Sequence, residues 1–175
     1  MSELKIIFTG SVGAGKTQAI SLLSEIPIVS TEVKATDEVA DQKETTTVGM
    51  DYGELTLDDN LLLKLYGTPG QERFSYMWEI LSQGALGIMI LVDHRREKPL
   101  EDLAMFLENY DTFVKASTAV IGITHLDECE TSDLEMYYNF MSDKNLYFPI
   151  FPIDARKYED VVLLVESLVA MIKVG

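Results

Sequence analysis

Positive charge is scarce in this chain. Lys and Arg number 14 against 29 Asp and Glu, a formal net charge of −15 over 175 residues. Such a balance argues against nucleic acid and anionic membrane as partners, since both demand a basic surface. Arginine stands only at 73, 95, 96 and 156, too few for a lid that clamps transferring phosphates with several guanidinium groups. The lone cysteine, Cys129, has no partner for an internal disulfide, which fits a reducing cytoplasm. No apolar run approaches the roughly eighteen residues of a membrane span, and "ALGIMILV" at 85–92 is too short. "MSELKIIFTG" lacks a secretory signal's pattern, residue 2 is Ser, and Val174-Gly175 carries no terminal cysteine box. The expectation is a cytoplasmic protein without a lipid anchor.

What is present suits one well-cored domain over residues 1–175: 47% apolar and 25% charged residues. Apolar, β-branched runs predict strands at 4–10, 48–57, 60–67, 87–93, 117–124 and 147–153. Helical spacing predicts about five helices: one from Lys16, one from Arg73, one through Leu100 to Tyr110, one around Leu134 to Met141, and one from Val161 to Ile172. Buried strands alternating with helices imply an α/β fold of three layers around a mostly parallel sheet. The short polar connection "TLDDNL" (56–61) makes its two flanking strands antiparallel. Residues 27–46, rich in Thr, Asp and Glu, read as a long irregular loop.

"GSVGAGKT", Gly10 to Thr17, matches the phosphate-binding pattern G-x-x-x-x-G-K-[ST]. Its glycines (Gly10, Gly13, Gly15), with Val12 and Ala14 between them, let backbone N–H groups turn inward around phosphates at a helix N-terminus. Lys16 supplies charge to the outer phosphates and the Thr17 hydroxyl can ligate magnesium. The bland alternative is a Gly-rich turn with a surface lysine, but the strand before and the helix after are what the chemistry needs.

With these motifs in this order the chain resembles the Ras-like small GTPases over essentially its whole length. That resemblance implies a three-layer P-loop NTPase domain with a six-stranded sheet and one antiparallel strand, binding GTP or GDP with Mg2+. "TVGMDY" (47–52) resembles the end of switch I, which implies Thr47 as magnesium ligand and phosphate sensor, with Thr45 and Thr46 as neighbouring candidates. "TPGQERF" (68–74) resembles switch II, implying that Gly70 offers its N–H to the terminal phosphate and Gln71 orients the attacking water. An exposed loop glutamine is the plain alternative for Gln71.

For guanine, the family expects Asn-Lys-x-Asp; here stand Thr124, His125, Leu126 and Asp127. Asp127 keeps the carboxylate that accepts guanine's N1–H and amine, while Thr124 and His125 replace the supporting pair. His125 reads as a packing or capping residue near the base rather than a catalytic one. Asp154-Ala155-Arg156 stands where the family has Ser-Ala-Lys, implying that the Ala155 N–H meets the guanine oxygen.

One family residue is missing: Gly67 occupies the switch II position of a magnesium-facing Asp. A similar absence, with Pro-Gly-Gln kept, is a feature of the gliding-motility (Mgl-type) bacterial branch, whose roadblock-fold partners stimulate hydrolysis. If Asp58-Asp59-Asn60 form the turn, the residue opposite Gly67 is Asp51, and opposed side chains share a face at about 5 Å. Asp51 then either contacts magnesium through a water or is an edge-strand carboxylate facing solvent.

Val12, where relatives have a small residue, crowds the space beside Gln71, and switch I holds no arginine finger. Both features predict slow intrinsic hydrolysis. The resemblance implies a switch read by effector and GTPase-activating proteins, with a monomer expected and the acidic 32–44 segment as a candidate effector surface or a solvated loop. A nucleotide-bound scaffold that hydrolyses nothing is the alternative of another class, and a P-loop kinase of small metabolites the rival enzyme.

Overall fold

The computed structural model describes residues 2–36, 45–57, 60–116, 118–131 and 133–174, with the backbone alone for 31–36, 45–48 and 174. Its strands are β1 (Ser2–Gly10), β2 (Val29–Thr36), β3 (Thr45–Leu57), β4 (Leu61–Gly67), β5 (Gly87–Asp93), β6 (Ala119–Thr124) and β7 (Ile150–Pro152). They form one sheet in the order β2-β3-β4-β1-β5-β6-β7. β3 runs antiparallel to both neighbours, and the remaining pairs are parallel. Among the described residues the helices are α1 (Lys16–Leu23), α2 (Ser75–Ser82), α3 (Pro99–Asn109), α4 (Asp111–Ala116), α5 (Glu135–Asp143) and α6 (Tyr158–Val174).

Strands alternate their side chains between two apolar layers, as the pleat dictates. Ile6, Phe8, Met89 and Leu91 face α1 and α6, while Ile7, Ile88, Ile90 and Val92 face α2, α3 and α5. These side chains are almost wholly removed from water, each contributing roughly 1.5–3 kcal/mol of burial. β5 is buried at every position, which is why its sequence reads as one unbroken apolar run.

Two expectations are corrected. The sheet has seven strands rather than six, because 29–36 is an edge strand and not part of an irregular loop. In "VSTEVKAT" the β-branched or small residues Val29, Thr31, Val33 and Ala35 alternate with polar ones. That is a strand period, hidden by low mean hydropathy and by the charges typical of an edge. The helix expected through Tyr110 ends at Asn109, and α4 begins at Asp111, an acidic residue suited to a helix's first turn. Asp37, Glu38, Asp41 and Glu44 of the acidic segment, and Asp58-Asp59 of the expected turn, lie outside the described residues.

The β3–β4 register is the expected one: Asp51 faces Gly67, and β2 adds Ser30 on the other side of Asp51.

Candidate functional site

The phosphate loop follows β1 at the carboxyl edge of the sheet, beside the end of β5. A Cβ on Gly10 would lie 2.2 Å from the Leu91 carbonyl oxygen, so only glycine lets β1 turn here. Gly15 has φ +102°, and a Cβ on it would stand 2.7 Å from that of Ala155. The loop and the β7–α6 connection therefore touch. Ala14 donates its N–H to the Ser11 carbonyl at 3.1 Å, closing the turn. The Ser11 hydroxyl is buried with no hydrogen-bond partner, an orphaned polar atom in a cradle of the kind that takes a polar ligand.

Lys16 is buried, and its ammonium donates to the Gly10 and Ser11 carbonyls at 2.6 and 2.8 Å. Burial lowers the Lys16 ammonium to about 8, against the opposing pull of the Asp51 charge. A buried ammonium held by loop carbonyls alone is well placed to receive an anion.

Two clefts share Gly13, Lys16 and Thr17. The outer one, about 380 Å³, is lined by Val12, Ser30, Asp51, Gly70 and Gln71 among others. Thr17 Oγ1 donates to Asp51 Oδ2 at 2.5 Å, and Ser30 Oγ donates to Asp51 Oδ1 at 2.7 Å. A Cβ on Gly67 would lie 3.2 Å from Asp51 Cβ and 2.9 Å from Ile20 Cδ1, so the carboxylate occupies space that a side chain at 67 would need. Gly70 packs directly on the loop: a Cβ there would meet the Val12 nitrogen at 2.5 Å. Gln71 is exposed and its Oε1 accepts from Arg73 Nε at 2.7 Å. Val12 is 58% exposed at the cleft's rim. No arginine among the described residues lines this cleft.

Thr47 stands elsewhere in this conformation. Its backbone pairs with Lys34 in the β2–β3 ladder, four residues along β3 from Asp51, roughly 13 Å by strand rise. Thr45 and Thr46 lie further along the same ladder.

The inner cleft, about 430 Å³, brings together Thr124, His125, Asp127, Asp154, Ala155 and Arg156. The buried Thr124 hydroxyl donates to the Ala14 carbonyl at 2.9 Å, tying β6 to the phosphate loop. His125 has a left-handed backbone, φ 61°. Its Nε2 lies 2.9 Å from the Gly13 carbonyl oxygen and its Nδ1 2.7 Å from Glu128 Oε1. Arg95 extends the chain, donating to Glu128 at 2.8 Å and to both oxygens of Asp93. The His125 contact and then Arg95 hold Glu128 below its ordinary value. Arg156 bonds both oxygens of Asp154 at 2.8 Å, which holds that carboxyl down to about 2, and reaches Asp127 Oδ2 at 3.2 Å.

The sequence reading missed Ser30, Asp93, Arg95 and Glu128. Ser30 was hidden with its strand; pairing β2 against β3 is what brings it to Asp51. The other three carry no motif; Asp93 and Arg95 are two residues apart, and the spatial neighbourhood of β5 and β6 brings Glu128 to them.

The family described as "Conserved hypothetical ATP binding protein" matches residues 27–173. The chain belongs to that family. For this member of the conserved hypothetical ATP binding proteins, similar curated proteins include Ras-related protein Rab-10 of Caenorhabditis elegans. The two are 27% identical over 132 residues, 74% of this chain and 59% of that one. Ras-related protein Rab-12 of Homo sapiens is 24% identical over 132 residues, 74% of this chain and 49% of that one. The chain thus spans about half to three-fifths of these relatives' length. Uncharacterized protein MJ1339 of Methanocaldococcus jannaschii is 28% identical over 148 residues, 81% of this chain and 82% of that one. Among solved structures, the G domain of the T. maritima FeoB iron transporter superposes with a TM-score of 0.66 at 18% identity. It covers 97% of this chain and 99% of that one. The fold is that of a P-loop GTPase G domain, and the Ras-related matches support a place in that superfamily. No helix among the described residues is long and apolar enough to cross a membrane.

Proposed function

We propose that this chain is a guanine-nucleotide switch that binds GTP and GDP with magnesium, hydrolyses GTP slowly, and signals through the segments around Thr47 and Gly70. The observation that carries it is Asp51: a carboxylate from β3 accepts the Thr17 hydroxyl at 2.5 Å, in a cleft shared with Lys16, Gly70 and Gln71. A hydroxyl whose hydrogen is engaged by a carboxylate presents its lone pairs outward, as a magnesium ligand must. Asp51 thus fills from the neighbouring strand the place that Gly67 leaves open.

The donor set suits the ion. Magnesium takes one or two protein oxygens and completes its shell with phosphate and water, so no larger cluster of acidic side chains is required. Thr17 would hold it and Asp51 would accept from a water in its shell. Bound there, the ion offsets charge on the outer phosphates. Lys16 turns from the loop carbonyls to those phosphates, and Gly70 meets the terminal one through its N–H. Thr47 reaches the cleft only when the start of β3 leaves β2, which gives the switch two states. Gln71 is held by Arg73, so a partner that redirects it raises the rate more than one that inserts an arginine.

On the base side, Asp127 suits guanine, whose N1–H and amine both donate, and adenine offers no such pair. A second reading, adenine, draws on the family's description and on Arg156, which already engages Asp127. The Pro-Gly-Gln sequence without its acid further supports the gliding-motility branch and roadblock-fold activators. A monomeric, cytoplasmic switch is part of the same proposal.

The test has two arms. Chromatography of the nucleotide released on denaturing the purified chain is expected to show guanine, and adenine alone would overturn the base assignment. Asp51→Asn is expected to raise the magnesium needed for half-maximal GDP binding by about 10- to 100-fold. An unchanged requirement would remove Asp51 from the site.

A further inference from the structure

Both oxygens of the Asp51 carboxylate have a hydroxyl partner. Oδ2 accepts from Thr17, at the start of α1, and Oδ1 accepts from Ser30, on β2. Ser30 is the residue directly opposite Asp51 in the antiparallel ladder, and it lines the same cleft as Lys16, Gly70 and Gln71. Gly67, on the other flank of Asp51, has no side chain to hold the carboxylate in place. A carboxylate with one partner can still turn about its χ2 axis. Hydrogen bonds to opposite oxygens fix its plane, and charge-assisted bonds are the strong ones.

The strand that carries Ser30 is the sheet's edge, paired on one side only. It leads into the segment that precedes Thr47. A one-residue slip of β2 against β3 exchanges the faces of its side chains. It would turn Ser30 away from Asp51 and set Val29, which has no hydroxyl, or the bulkier Thr31 opposite it in its place.

We propose that Ser30 is a positioning residue, which holds Asp51 with Oδ2 towards Thr17 and so ties the register of the edge strand to magnesium affinity. This rests on the reading of Asp51 as the magnesium-facing carboxylate. Through it, a change in β2 reaches the metal site without passing through Thr47 or Gln71.

The full chain, stripped of nucleotide, is titrated with magnesium chloride in the presence of fluorescently labelled GDP. Ser30→Ala is expected to raise the half-saturating magnesium roughly three- to tenfold, below the range typical of residues that support a ligand directly. Its GDP affinity in EDTA should stay at the native value. Ser30→Thr, which keeps the hydroxyl, should restore the native magnesium requirement. Adding Ser30→Ala to Asp51→Asn should shift nothing further, because the two residues act as one unit.

A native requirement in Ser30→Ala, when Asp51→Asn moves it, overturns the inference and leaves the Asp51 reading intact. No shift in Asp51→Asn overturns both. Fully additive shifts would place Ser30 outside the Asp51 pathway, and an equal loss of affinity in EDTA would mark a merely structural role; each defeats the proposal.

Discussion

At the scale of single residues, the Asp51 side chain occupies the space that a side chain at Gly67 would need, and this constrains both positions. Restoring an acid by Gly67→Asp is expected to harm rather than help. Its Cβ would meet Ile20 Cδ1 at 2.9 Å, with Asp51 Oδ2 at 3.3 Å, adding overpacking to like-charge repulsion. Thermal unfolding should show a loss of about 1–3 kcal/mol, and magnesium-dependent binding should weaken. The paired change Gly67→Asp with Asp51→Gly should recover part of both. Lys16 sets a pH dependence of definite sign. In the nucleotide-free loop burial lowers its ammonium to about 8, while phosphates favour the charged form. As pH rises past about 8 the empty loop gives up a proton that the occupied loop keeps, so binding takes up a proton and affinity falls, by at most about tenfold per pH unit. Affinity flat from pH 7 to 9.5, with no proton uptake by calorimetry, would refute this. The register that joins Asp51 to Gly67 was legible in the sequence, because a short turn between two apolar runs fixes which residues oppose. The Glu128–Arg95–Asp93 chain was not, since nothing along the sequence brings residues 33 apart together.

At the scale of elements, legibility followed burial. β5 was readable to the residue because all seven positions are buried. β2 was not, because an edge strand needs only a weak alternation and carries Glu32 and Lys34 within it. The break between α3 and α4 was also unreadable, since apolar spacing runs through it and Tyr110 stays buried. The segment proposed as switch II is anchored at its root by α2. Trp78 is 1% exposed, stacks on Tyr110 at 6.0 Å between ring centroids, and donates its indole N–H to the Pro69 carbonyl at 2.6 Å. Pro69 immediately precedes Gly70. Trp78→Phe removes that bond and leaves a small void, with an expected loss of about 1–3 kcal/mol in denaturant unfolding. As the chain's single tryptophan, Trp78 should also change its emission when GDP is replaced by a GTP analogue. Identical spectra would mean that the segment before Gly70 stays still.

At the scale of the whole molecule, the −15 charge opposes the ligand proposed for it. Nucleotide and protein are both anionic, and only the local field of the loop and Lys16 is attractive. Salt screens long-range repulsion over about 10 Å at 0.1 M. The association rate for GDP, measured by stopped flow, should therefore rise as sodium chloride is added from a low-salt buffer, the reverse of an electrostatically steered encounter. A rate that falls with salt would show that the local positive field governs approach. The same surface charge favours neutral or basic proteins as partners.

The direction of α6 settles one practical matter. A Cβ on Gly122, near the end of β6, would touch Leu164, whereas one on Gly87, at the start of β5, would touch Leu168 and Ile172. α6 therefore descends from the edge that carries the Gly10–Thr17 loop and finishes beside the strands' beginnings, where Ser2 opens β1. A dye, bead or surface tether joined beside Ser2 or Lys173 stands on the side of the sheet away from the proposed nucleotide cleft.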